Sequence, residues 1–252
     1  MLNDREAVEI FHLHFLRGFG QRVDKALFAL KDGCNLRFYF RSIRYSEDMD
    51  LDIHTLAVGT LSSHVNRLLD GPLLRQALAS QRLEVARVAK PKQTPTTQRW
   101  KVTLRHLDTG REIPTKIEFS RRPAEGERGV DPVDAHLIQR YRLMPVLAPH
   151  YRVGTAFAQK VAALARREQV QSRDVFDLKL LLDAGGAAQA SSEQVRPWLE
   201  TALANAQAVD YEQFAGQVVP YLDAEYQDYY AHPTVWNELR GSVVDALKSL
   251  QP

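Results

Sequence analysis

Cysteine is nearly absent from this chain. The single residue, Cys34, excludes an intramolecular disulfide and a cysteine-rich zinc site. Long apolar runs are missing too. None approaches the ~20 residues that a membrane span needs. The opening stretch, MLNDREAVEIFHLHF, places its acids early and has no small-residue cleavage site after an apolar core, so no signal peptide is expected. The chain therefore reads as cytoplasmic. Nor does one charge dominate: 33 Lys and Arg against 31 Asp and Glu leave a formal net charge of +2, which excludes a basic coat for nucleic acid. There is no internal repeat, no low-complexity tail, no GxxxxGK[ST] phosphate loop and no G-x-S-x-G elbow. His12 and His14 are two apart on a helical stretch and face different ways. The remaining histidines are scattered.

What is present is an ordinary globular composition, 44% hydrophobic and 25% charged over 252 residues. That length suffices for one large domain or two small ones with a buried core. Arginine clusters at Arg37, Arg41 and Arg44, at Arg121 and Arg122, and at Arg166, Arg167 and Arg173. Guanidinium groups suit bidentate contact with phosphate. Solvated helix faces are the competing reading.

Apolar residues at helical spacing predict an amphipathic helix over 3–17, ended by Gly18 and Gly20, and a second over about 22–30. Lys31-Asp32-Gly33 reads as a turn, and 34–42 as a short helix with Leu36 and Phe40 inward. A strand is expected at 47–53, then helices across 55–80 with Pro72 starting the second. Next comes a sheet: a strand at 83–89, a loop at 91–97, and a hairpin of 99–107 and 111–120 around Asp108-Thr109-Gly110, with 121–132 as loop. After about residue 145 the pattern turns helical. The expected fold class is α+β: a domain at 1–145 with a mixed sheet and helices, and a helical domain at 146–252. Tyr226, Tyr229 and Tyr230 could stack RNA bases, although helix packing accounts for them more simply.

The most chemical feature is EDMDLDI, residues 47–53. On a strand, Asp48, Asp50 and Asp52 share one face, with Met49, Leu51 and Ile53 on the other. Carboxylates side by side repel, so a cation must offset them or one must hold a proton. Mg²⁺ takes hard oxygen ligands, typically one or two carboxylates plus substrate phosphates. An alternating strand with one wet face has the same pattern.

Context adds a resemblance. The segment LKDGCNLRFYFRSIRYSEDMDLDI, residues 30–53, is similar to the first motif of the AbiEii-type nucleotidyltransferases, a family that includes the MenT toxins and belongs to the polymerase-beta-like superfamily. The family pattern is a Gly-Gly-(Ser/Thr)-Ala-Leu turn, a basic helix and Arg-x-Ser-x-Asp-x-Asp. Gly33, Leu36, Arg44, Ser46, Asp48 and Asp50 fill its places. Lys116-Ile117-Glu118-Phe119-Ser120 resembles the strand that brings the third carboxylate, here Glu118. QKVAALARREQVQSRDVFDLKL, 159–180, resembles the third motif through Lys160, Leu164, Arg166, Arg173, Asp174, Asp177 and Leu178. Arg173 and Asp177, i,i+4 on one helix, share a face, and a plain surface pair is the competing reading. The chain departs from the pattern at Asp32 (a glycine in the family), Cys34 (Ser or Thr), Asn35 (a small residue) and Gln159 (Glu).

The resemblance implies transfer of a nucleoside monophosphate from an NTP to an acceptor hydroxyl. The implied acceptor is RNA, a tRNA 3′ end, and the implied role is that of a toxin with a cognate antitoxin and no membrane partner. Asp48, Asp50 and Glu118 would hold Mg²⁺. Gly33, Cys34, Arg44, Ser46, Lys160 and Arg173 would bind nucleotide, and Lys160 and Asp177 would join the catalytic set. The alternative is a nucleotide- or protein-binding relative without transferase activity. A third reading is phosphoryl or sugar-phosphate transfer through the same DxD.

Overall fold

The computed structural model describes residues 2–121 and 126–251. Two compact units emerge. One takes residues 2–39, 46–121 and 128–150; the other takes 40–45, 126–127 and 151–251.

In the first unit, helix α1 (Asp4–Gly20) starts with a capping box: the Asn3 side chain accepts from the Glu6 N–H, and the Glu6 carboxylate accepts from the Asn3 N–H. Gly20 is its last residue, as expected, while Gly18 lies inside it. The predicted helix at 22–30 does not form. Lys25–Leu27 is a single 3-10 turn and Phe28–Lys31 is strand β1. A four-residue apolar run has no period of its own to distinguish helix from strand, and pairing decides: Phe28–Lys31 lies antiparallel to Ile53–Asp50. Helix α2 (Asp32–Tyr39) follows β1 directly, so the expected turn at 31–33 is a strand–helix junction, with Asp32 at φ 53°. Phe38 is the inward aromatic; Phe40 lies beyond the helix and is half-buried.

Strand β2 (Asp48–Ile53), helices α3 (Val58–Leu69) and α4 (Pro72–Ser80), and strands β3 (Leu83–Gln93), β4 (Thr97–His106) and β5 (Glu112–Ser120) come next. Strand β3 extends through Pro91 to Gln93, into the expected loop, because it is an edge strand that tolerates proline. Three short elements have no counterpart in the sequence pattern: β6 (Arg128–Pro132), α5 (Ala135–Arg140) and β7 (Leu147–Tyr151). Arg122 lies outside the described residues.

The seven strands run in the order β3-β4-β5-β2-β1-β7-β6. β2 is parallel to β5 and antiparallel to β1, β7 is parallel to β1, and β3, β4 and β5 form an antiparallel meander. Strand alternation gives this sheet two unlike faces. Met49, Leu51, Trp100, Val102, Ile117 and Phe119 are buried on one. There Phe19 of α1 meets the Phe119 ring at 5.1 Å, and the Trp100 indole N–H donates to Asn66 of α3 at 3.0 Å. On the other face lie Asp48, Asp50 and Asp52, then Lys116 and Glu118, then Arg99 and Lys101.

The second unit is helical: α6 (Val153–Arg166), α7 (Ser172–Asp183), the one-turn α8 (Gly186–Gln189) and α9 (Ser192–Val195), α10 (Leu199–Ala208), α11 (Tyr211–Gln217), α12 (Ala224–Tyr230) and α13 (Pro233–Ser249). Its core includes Phe157, Val161, Leu164, Leu178 and Leu181, with Phe214 stacked on Trp236 at 4.5 Å. Residues 40–45 belong here. The Tyr45 N–H donates to the Tyr221 carbonyl and the Asp223 N–H to the Ile43 carbonyl, both at 2.8 Å. No helix among the described residues is long and apolar enough to cross a membrane.

Candidate active site

The acidic face of the first unit is built by register. Parallel pairing sets Asp48 beside Lys116 and Asp50 beside Glu118, and antiparallel pairing continues each row to Lys101 and Arg99. Each row therefore runs from an acid on β2 to a base on β4. The Lys116 ammonium lies 2.8 Å from Asp48 Oδ2, and Arg99 Nε 2.5 Å from Glu118 Oε2. From β1, Lys31 reaches Asp52 at 2.7 Å. Asp50 is left as the poorly compensated member. Its carboxyl is pushed up to about 7, by burial first and then by the Asp32 carboxylate; Lys116 opposes this, while Asp48 and Glu118 add to it.

Three carboxylates, Asp32, Asp48 and Glu118, thus act on Asp50, and hard oxygens of this kind suit Mg²⁺. Among the described residues, no three His, Cys, Asp or Glu side chains close into a ready cage. Such a cage is not what Mg²⁺ requires, since one or two carboxylates serve it when phosphates supply the rest. The residues present fit the ion: carboxylates crowd around the half-buried Asp50, and the lysine and arginine held against its neighbours show where positive charge is favoured.

Sequence reasoning gives Lys116, Arg99 and Asp32 no role in the acidic site. The alternation of RWKVTLRH against PTKIEFS carries the signal for the first two, since a tight hairpin fixes the register between them. Asp32 sits in the left-handed region, where glycine is at ease and aspartate is among the tolerated exceptions.

Ser46 and Cys34 act on the backbone of the acidic strand. Ser46 Oγ donates to the Asp48 carbonyl at 2.8 Å, and the Cys34 thiol reaches the same oxygen at 3.2 Å. Behind the thiol stands a buried chain. Thr115 donates to the Glu47 carbonyl at 2.7 Å, so its oxygen is free to accept from His12 Nε2 at 2.9 Å. That leaves His12 Nδ1 as the acceptor facing Cys34 Sγ at 3.5 Å. Burial keeps His12 neutral, pushing it down to about 3, and burial pushes the Cys34 thiol well above its ordinary range. Cys34 is thus an inert brace under Asp48. Its thiol should resist a disulfide reagent in the native protein and react once denatured. Stoichiometric native labelling within minutes would contradict this placement.

The remaining candidates lie in the second unit. Asp174 and Asp177, one turn apart on α7, are both fully buried. Lys160 of α6 lies 3.3 Å from Asp174 and 2.9 Å from Asp177. Arg167 binds Asp174 at 2.5 Å, and Arg44 Nη2 donates to both oxygens of Asp177, at 3.0 and 2.9 Å. Burial opposes the Asp177 charge, but Arg44 and then Lys160 prevail and hold its carboxyl below the usual carboxylate range. The competing reading, a surface Arg173–Asp177 pair, is not what forms: Asp177 is fully buried and held by Arg44 and Lys160, while Arg173 is half-buried. Among the clustered arginines, Arg37 is likewise buried, on Glu9 at 2.6 Å.

The family model for the nucleotidyl transferase AbiEii toxin of type IV toxin–antitoxin systems matches residues 14–235. The fold is similar to that of JHP933 from Helicobacter pylori, at TM-score 0.61 and 16% identity, covering 99% of this chain and 95% of that one. It is also similar to a candidate nucleotidyltransferase from H. pylori, at TM-score 0.62 and 16% identity over all of both chains. No curated protein matches in sequence.

Proposed function

The chain belongs to the AbiEii nucleotidyl transferase toxin family, and from that premise we propose that its acidic sheet face directs transfer of a nucleoside monophosphate from an NTP to an RNA acceptor, a tRNA 3′ end. The family implies a nucleotide substrate and an antitoxin. The observation that carries the reading is the parallel pairing of Asp50 with Glu118 beside Asp48, which gathers carboxylates around one half-buried side chain.

Asp48 and Asp50 would hold Mg²⁺, with Glu118 joining once Arg99 releases it. When bound, the ion supplies charge neutralisation at the triphosphate and acidifies the acceptor hydroxyl. The other work belongs to the chain. Ser46 and Cys34 fix the backbone of β2. The first turn of α2, through the N–H groups of Gly33 and Cys34, offers donors to phosphate. Lys160, Arg44, Arg173 and Asp177 enter the proposal through the family motif. For Lys160 and Arg44, the buried Asp177 holds the side chains in fixed positions. Positioning and charge account for most of the catalysis in reactions of this kind.

Incubation with α-labelled NTPs, Mg²⁺ and total tRNA should place label in RNA and release pyrophosphate, and Asp48→Ala should abolish both. Label transfer that survives in Asp48→Ala overturns the site assignment. One observation favours the second reading, a nucleotide-binding relative without transfer. Asp32 adds a carboxylate beside Asp50, at a position where the family has glycine. Calorimetry showing NTP binding without transfer to any RNA pool would select it.

A further inference from the structure

A cavity of about 440 Å³ opens beside Asp48 on the polar sheet face of the first unit. Its lining includes Glu47, Asp48, Lys116, Lys101, Thr103 and Arg87. Register explains the set. Asp48 of β2, Lys116 of β5 and Lys101 of β4 stand side by side in one row, and Arg87 of β3 pairs with Thr103, two residues further along β4. Adjacent strands lie about 4.8 Å apart. The row therefore places a cation at each of two successive strand intervals from Asp48, with Arg87 beyond them.

The cations are not equally committed. Lys116 is bound to Asp48 at 2.8 Å. Arg87 is 71% exposed and only loosely attached, 3.6 Å from Glu112 and 3.5 Å from the Thr103 hydroxyl. Lys101 is exposed and forms no ion pair among the described residues. Charge available to a ligand thus increases away from the acids.

We infer that this row is the track for the phosphodiester backbone of a single-stranded polynucleotide acceptor, whose terminal hydroxyl it delivers to Asp48. The inference rests on the nucleotidyl-transfer reading and adds where the acceptor lies. Three features select a strand over a single phosphate or an NTP. The cavity is open and lined by cations in series, where an isolated anion would call for a closed cradle. The exposed cations lie on β3 and β4, away from the α2 turn assigned to the triphosphate. The row ends at a reacting carboxylate, as a track for an acceptor must. Strand backbones are held by exposed cations of this kind, and their binding is salt-dependent.

The test measures binding without chemistry. The full chain, with no NTP present, is titrated against a short labelled single-stranded oligoribonucleotide by fluorescence anisotropy across a salt series. NTP affinity is measured separately by calorimetry. Lys101→Ala combined with Arg87→Ala changes exposed side chains and should leave the melting temperature and NTP affinity intact. We expect roughly tenfold weaker RNA binding, and a salt slope shallower by about 0.7 for each phosphate that is no longer neutralised. Unchanged RNA affinity and slope, a matching loss of NTP affinity, or a wild-type chain that does not bind the oligonucleotide would each overturn the track. Pyrophosphate release from labelled NTP reports on the transferase reading independently, so the two can fail separately.

Discussion

Asp50→Asn should all but abolish nucleotidyl transfer while making the protein more stable. The substitution keeps the shape of the side chain and removes its charge. Losing one such electrostatic group from a reacting site costs about 10²–10³-fold in rate. The stability gain follows from linkage. The Asp50 carboxyl is pushed up to about 7 in the folded chain, against ~3.9 for an unperturbed aspartate. The unfolded chain releases this proton more readily, so stability falls as pH rises from about 4 through 7. Asparagine removes that dependence. At pH 8 the variant should melt above the wild type, by roughly 2–4 °C for each kcal/mol of repulsion removed. Thermal melts at pH 5 and pH 8, with transfer assays on the same preparations, test both halves. A variant that keeps a tenth of the wild-type rate, or melts lower at pH 8, removes Asp50 from the centre of the site.

The second large effect should come from the buried charges of the helical unit. In Asp177→Ala, the buried Arg44 loses its carboxylate, while the buried Lys160 keeps Asp174 at 3.3 Å. Breaking a buried pair by removing one partner costs about 3–5 kcal/mol, because the remaining charge is left uncompensated. Lys160→Met is milder, since Asp177 keeps Arg44 and Asp174 keeps Arg167. Urea denaturation should order the proteins wild type, Lys160→Met, Asp177→Ala. The Asp177 carboxyl is held below its ordinary range, so its contribution is present above about pH 4 and is lost as pH falls through its folded value. An Asp177→Ala protein with the wild-type urea midpoint would rule out the charge network as a structural anchor. Lys160→Met also separates two roles: a folded protein with only that small loss of stability and no transfer would assign the lysine to chemistry.

Much of the acidic face was legible because strand alternation is a strict code. EDMDLDI announced three carboxylates on one side, and Asp108-Thr109-Gly110 fixed the hairpin that aligns β4 with β5. Partnership was not legible. Nothing local in the sequence pairs Arg44 with Asp177 or sets Lys116 against Asp48, because those pairs join residues far apart in the chain. Spacing alone allowed Arg173 as a partner for Asp177, but Asp177 is fully buried and its partners are Arg44 and Lys160. Segments such as Phe28–Lys31 and Leu147–Tyr151 are four and five residues long, too short to show a period. They are strands because neighbouring strands accept their hydrogen bonds.

The placement of β7 has a consequence for synthesis. Leu30 pairs with His150, so β1 emerges early and must wait for a late partner. Residues 40–45 likewise leave the first unit to join helices that have yet to be made. Neither unit is a continuous stretch of chain, and no single cut releases either one whole. A nascent chain halted before residue 147 keeps the acidic strand but leaves one side of β1 as an unpaired edge. The growing chain therefore carries Asp48 and Asp50, with both neighbours of their strand, well before β7 arrives to cover the far side of β1.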